Sequence, residues 1–95
     1  MTQKKKSRKE FYKLEKVFKG VANHRRLEIV LLLAKKDNLS TDEIVEELNA
    51  PYQTVTQHLH KLVSTGLVDS YREGVIVRYT PSPYGKSIIN LCINI

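Results

Sequence analysis

A chain of 95 residues, 41% hydrophobic and 27% charged, has the make-up of one globular domain, and no apolar run in it approaches the roughly 20 residues that span a bilayer. Its formal charge of +6 is uneven: residues 1–36 carry +9, residues 37–50 carry −5 and residues 51–95 carry +2. The single cysteine, Cys92, excludes an internal disulfide and a cysteine-rich metal site, and reads as a small apolar residue near the C-terminus.

Residues 1–8 read as a flexible basic arm, suited to phosphates through counterion release. Met1 to Glu10 lacks the apolar stretch of a secretory signal, so the expected location is cytoplasmic. The first helix is expected from about Arg8 to Val21, with Phe11, Leu14, Phe18 and Val21 at three- and four-residue steps and Gly20 where the helix weakens or ends. Asn23 caps a second helix through Leu27, Ile29, Val30, Leu31, Leu32, Leu33 and Ala34, apolar around most of its circumference and therefore expected to be central. Ser40, with Glu43 three residues on, has capping-box spacing and starts a third helix. Ile44, Val45 and Leu48 are its inward stripe; Asp42, Glu43, Glu46 and Glu47 fall outside.

Asn49-Ala50-Pro51 breaks the pattern, and a fourth helix is expected from Pro51 to about Thr65, ended by Gly66. Val55, Leu59, Leu62 and Val63 are assigned inward, leaving Tyr52, Gln53, Thr56, Gln57, His60 and Lys61 outside. The period then changes: Leu67-Val68 and Val75-Ile76-Val77 read as two short strands joined through Tyr71-Arg72-Glu73-Gly74. Arg78 and Tyr79 continue the second strand, and Pro81 and Pro83 end it. A last helix from about Tyr84 to Ile95 carries Ile88, Ile89, Leu91, Cys92, Ile93 and Ile95 and needs something to bury against.

Residues 1–95 thus read as a single, mainly α domain with a small β-hairpin, a winged helix-turn-helix of order α1-α2-α3-α4-β-β-α5. The helix-turn-helix occupies 40–65, the wing 67–80 and the C-terminal helix 84–95. A major groove admits one helix and offers it donors and acceptors on base edges. The outer side of the fourth helix offers amides, hydroxyls, an imidazole and a lysine, and no acid lies between Pro51 and Ser64. A merely solvated face would more often pair Glu with Lys at four-residue spacing.

The span from about Phe18 to Ser82 resembles the arsenic-repressor-like (ArsR-like) family of regulators. The resemblance is carried by Val21-Ala22-Asn23-His24-Arg25-Arg26-Leu27-Glu28-Ile29-Val30, by Leu39-Ser40-Thr41-Asp42-Glu43-Ile44 leading into Leu48, and by Thr54-Val55-Thr56-Gln57-His58-Leu59-His60-Lys61-Leu62. Gly66-Leu67-Val68 and the Arg72-Glu73-Gly74 wing complete it. It implies a homodimer through the first and last helices and reversible binding to double-stranded DNA, with Gln53, Thr56 and Gln57 facing bases and Tyr52 and Lys61 flanking them. Arg72 is then the wing residue nearest the minor groove or backbone. The DNA-binding set expected is Tyr52, Gln53, Thr54, Thr56, Gln57, His60, Lys61, Arg72 and Arg78; the dimer set is Phe11, Leu14, Phe18, Ile88, Leu91, Cys92 and Ile95.

The chain departs from the metal-sensing members. Asn38 to Glu43 contains no cysteine, and Tyr84 to Ile95 contains no His, Asp or Glu, so neither family metal site carries over. His58 and His60, two apart on a helix, point to roughly opposite sides and cannot share an ion. No metal and no cofactor are expected, and no nucleophile–base pair or phosphate loop suggests an enzyme. The expected function is a homodimeric repressor on an imperfect palindrome, with recognition helices about one DNA turn, roughly 34 Å, apart. The alternative is a winged-helix module that binds a protein partner; RNA binding is weaker, for want of an exposed aromatic platform.

Overall fold

The computed structural model describes residues 7–93. Helix α1 spans Arg8–Val21, α2 His24–Lys35, α3 Thr41–Leu48, α4 Tyr52–Ser64 and α5 Pro83–Ile93. Strands β1 (Leu39–Ser40), β2 (Val68–Glu73) and β3 (Ile76–Pro81) form an antiparallel sheet in the order β1-β3-β2. This is the winged helix-turn-helix that the pattern predicts, with a third strand that two residues are too few to announce.

Helices α1, α2, α3 and α5 begin where a side chain satisfies free N–H groups. Ser7 accepts from the Glu10 N–H and Glu10 reaches back to Ser7, a second capping box that places Arg8 in the helix rather than in an arm. Lys4 to Lys6 and Ile95 lie outside the described residues. Asn23 caps α2 by accepting from the Arg25 and Arg26 N–H groups, and Ser40 and Glu43 form the expected box on α3. Asn49, at a left-handed φ of 51°, turns the chain out of α3. Helix α4 ends in a Schellman motif: Gly66, at φ 82°, donates to the Val63 carbonyl and Leu67 donates to that of Leu62. Both leucines are fully buried, the apolar contact that usually accompanies this motif.

The core gathers Ile29, Val30 and Leu33 of α2, Ile44 of α3, Val55, Leu59 and Leu62 of α4, Leu67, Val68 and Tyr79 around the sheet, and Ile89 of α5. Several expectations are refined or corrected. Gly20, one residue before the end of α1, has a second part: it is buried, and a Cβ there would lie 2.5 Å from Thr65 Oγ1, so the glycine permits α1 to cross the end of α4. Val17 is the buried side chain of α1, whereas Phe11 and Phe18, which the sequence assigns to the dimer set, stand in solvent. Val63 is exposed, because the Schellman turn takes over the inward position with Leu67. Helix α2 is central but not fully enclosed, since Leu31 and Leu32 are only half-buried beside Glu28 and Lys35.

The seat of α5 is tight. Ser82, buried, donates through its hydroxyl to the Gly66 carbonyl and accepts from the Gly85 N–H at 3.0 Å, with Pro83 in the first turn. A Cβ on Gly85 would lie 2.2 Å from the Leu67 carbonyl oxygen, so α5 rests directly on the backbone entering β2.

Candidate nucleic-acid interface

Buried Val55, Leu59 and Leu62 fix the rotation of α4 about its axis. That rotation leaves Tyr52, Gln53, Gln57, His60 and Lys61 exposed on the far side, while Thr54 and Thr56 are half-buried at its edges. The Thr56 hydroxyl donates to the Tyr52 carbonyl at 2.8 Å, which leaves it acceptor capacity only. The N-terminus of α4 has no side-chain cap and no acid in its first turn, unlike α1 and α3. Its free N–H groups and the positive end of its dipole suit an anion.

His58 is half-buried on the flank that faces α2. Burial and the neighbouring Arg26, Arg25 and His24 hold its imidazole below the usual histidine range, because each disfavours a further positive charge. His60 is exposed, and the two imidazoles diverge as their spacing predicts. Among the described residues no three His, Cys, Asp or Glu side chains converge to hold a metal ion.

The wing is longer than its apolar runs. Strands β2 and β3 pair from Val68↔Pro81 to Glu73↔Ile76, and the turn is Gly74-Val75 rather than the four residues from Tyr71. Gly74, at φ 65°, provides the positive first position of a II′-type hairpin, and Val75 at the tip is 93% exposed. Strand alternation puts Arg72 opposite Val77 on the face that carries Val68 and Tyr79 toward the core. Past the core's edge, Arg72 is exposed. A cleft of about 290 Å³ separates the wing from the helix-turn-helix, lined by Ser40, Thr41, Asp42, Tyr52 and Val75 to Val77.

Tyr71, Glu73 and Arg78 share the opposite face. The Arg78 guanidinium is engaged inside the molecule: Nε donates to Glu73 at 3.1 Å, and Nη1 donates to Glu43 and to the Asn38 carbonyl, each at 3.0 Å. Of the nine residues expected at DNA, eight are open or half-open with no ion pair among the described residues; Arg78 alone is held by carboxylates. Nothing in the sequence marks Arg78 as different from Arg72, because the β1–β3 pairing that brings Glu43 to it has no pattern of its own.

The expected dimer residues lie at the surface of α1 and α5. Phe11, Phe18 and Leu91 are exposed by 59%, 57% and 58%, and Leu14, Ile88 and Cys92 are half-buried. Tyr12, Tyr84 and Ile93 extend the apolar surface beyond the set expected from sequence. Lys13 sits 5.8 Å from the centre of the Tyr84 ring and ties the two helices together. Among the described residues no helix is long and apolar enough to cross a membrane.

Known proteins share both the pattern and the fold. The profile of the arsR family of bacterial regulatory proteins matches residues 23–70. The cadmium resistance transcriptional regulatory protein CadC of Listeria innocua is 36% identical over 62 residues, which are 65% of this chain and 52% of CadC, so the chain spans about half the length of that relative. The structure of reduced HlyU from Vibrio cholerae superposes with a TM-score of 0.80 at 33% identity, covering 90% of each chain. A homodimeric winged helix-turn-helix DNA-binding domain from Mycobacterium bovis superposes at 0.82 with 27% identity, over 98% of this chain and 88% of that one. With its capped α2, its helix-turn-helix and half its length matched by the family profile, this chain belongs to the arsR family of regulatory proteins.

Proposed function

We propose that this chain is a sequence-specific, double-stranded-DNA-binding transcriptional repressor that acts in the cytoplasm as a homodimer. The observation that carries this reading is the acid-free outer face of α4, together with an exposed arginine, Arg72, on the wing. In it, Gln53 and Gln57 read base edges, Thr56 accepts from them, and Tyr52, Thr54, His60 and Lys61 flank them toward the backbone. Arg72 approaches the minor groove or the phosphates beside it. The apolar surface from Phe11, Leu14 and Phe18 through Ile88, Leu91 and Cys92 is the dimer face, with Ile95 next to it in sequence. The homodimeric state of the Mycobacterium bovis domain supports that assignment. Two α4 helices related by a two-fold axis require an imperfect palindrome, and repression follows from occupying it.

Neither a metal nor a cofactor has a part in this reading: Ser40, Thr41 and Asp42 stand at the start of α3, and α5 carries no His, Asp or Glu. The chemistry of the site is recognition rather than catalysis.

A duplex selected by the protein from a random pool supplies the test. Gln57→Ala is expected to weaken binding to that duplex by about 1–3 kcal/mol while leaving binding to random DNA nearly unchanged. Fluorescence anisotropy at fixed salt measures both. Equal losses on the two duplexes would remove Gln57 as a base reader, and no binding by the parent protein to either would favour a protein-binding module.

A further inference from the structure

We propose that Arg78 is a positioning residue, a guanidinium strut that sets the wing against the helix-turn-helix, and that it does not itself contact DNA. This role rests on the DNA-binding reading and adds a part to it. Beyond the pairing of Ser40 with Arg78 the sheet narrows to β2 and β3; such a ribbon is marginally stable alone, and it runs to a tip where Val75 is 93% exposed. Something other than apolar packing must hold its angle.

Arg78 does so from the middle of β3. Its Nε takes Glu73, the last paired residue of β2 before the tip, and its Nη1 takes Glu43 and the Asn38 carbonyl. Glu43 also accepts from the Ser40 N–H at 2.9 Å, so the carboxylate that caps α3 is the one that receives the wing. A second tie runs parallel: the Tyr71 hydroxyl donates to Asn38 Oδ1 at 2.7 Å, and Asn38 holds a left-handed φ of 63°. The wing is thereby tied to the N-terminus of α3, whose C-terminal turn leads into α4. The angle between Arg72 and the recognition face passes through Arg78.

The choice of arginine follows from this geometry. Two nitrogens on one rigid plane reach carboxylates on two elements, whereas a lysine ammonium is a single point on a flexible stem. The strut also offsets one of the two negative charges that Glu43 and Glu73 bring to the wing and the start of α3. Glu43 and Glu73 are exposed and Arg78 is half-buried, so these pairs contribute modestly to overall stability. Their effect should therefore be felt in DNA affinity, not in melting.

The test uses the full chain and the duplex that the parent protein selects. Arg78→Gln is expected to lower affinity about tenfold, a loss of the size given by one mis-seated contact, with Tm almost unchanged. Arg78→Lys is expected to lose as much, and the slope of log affinity against log salt to stay as in the parent. A Glu43→Ala/Glu73→Ala background removes both side chains that receive the guanidinium and leaves the Ser40 hydroxyl to cap α3. There, adding Arg78→Gln is expected to cost less than twofold more, the non-additivity of one network. A direct phosphate contact would give the reverse: rescue by lysine, a slope shallower by about 0.9, and the same cost in both backgrounds. Any of these would overturn the strut. Failure of the parent protein itself to bind DNA would instead bring down the underlying functional reading, and the strut with it.

Discussion

Leu91→Glu is expected to leave a folded monomer at micromolar concentration and to weaken binding to a two-half-site duplex by about a hundredfold or more, the avidity lost when two linked contacts become one. Leu91 is 58% exposed within its own chain and lies between half-buried Ile88 and Cys92 and exposed Ile93 on α5. The substitution therefore removes little from the core. It places a carboxylate where the proposed partner copy must dehydrate it, and at a two-fold interface each copy brings one. Light scattering should give about twice the 11.0 kDa chain mass for the parent and the single mass for the variant, with equal far-UV circular dichroism. A parent protein that is already monomeric would contradict the dimer face and remove the reason for a palindrome.

Gly85→Ala is expected to destabilise the fold by about 1–3 kcal/mol, as overpacking against an unyielding neighbour does. For a domain this size that lowers Tm by roughly 4–8 °C per kcal/mol. The added methyl meets the Leu67 carbonyl oxygen, which is backbone and hydrogen-bonded to the Ser82 N–H at 3.1 Å, so α5 must lift. Lifting it strains the Ser82 bonds to Gly66 and Gly85 as well. Alanine's better helix propensity, about 1 kcal/mol, offsets only part of this. Ser87→Ala, on the exposed side of α5, should stay within about 0.5 kcal/mol. Thermal melts at one fixed protein concentration compare the two. A Gly85→Ala melt at or above that of the parent would mean that α5 does not rest on β2 as described.

Helices α2 and α3 are legible in the sequence because each carries its own start signal. Asn23, and Ser40 with Glu43, lie at the caps where their side chains bond, and Gly66 ends α4 by the left-handed turn that only glycine adopts freely. The core stripe of α4 is legible for the same reason, since Val55, Leu59 and Leu62 repeat at helical spacing. What escapes depends on contacts far apart in sequence. Gly20 reads only as a helix end until Thr65 is seen against it. β1 is two residues long and exists through its pairing with Arg78 and Tyr79. The apolar spacing of α1 does not reveal which side packs inward, because Phe11 and Phe18 stand clear of this chain's own core and Val17 enters it. In the candidate site, residue types along α4 point outward as expected, whereas the commitment of Arg78 to Glu43, 35 residues away, has no local signature.

If the outer face of α4 and the wing together meet the double helix, the contact must register at their backbone amides. Titrating an amide-labelled sample with the selected duplex and following backbone shifts by NMR addresses this residue by residue. The largest changes are expected across Tyr52 to Lys61 and Arg72 to Val75, with α5 little affected. Changes concentrated on α2 or α5, with α4 unmoved, would contradict it.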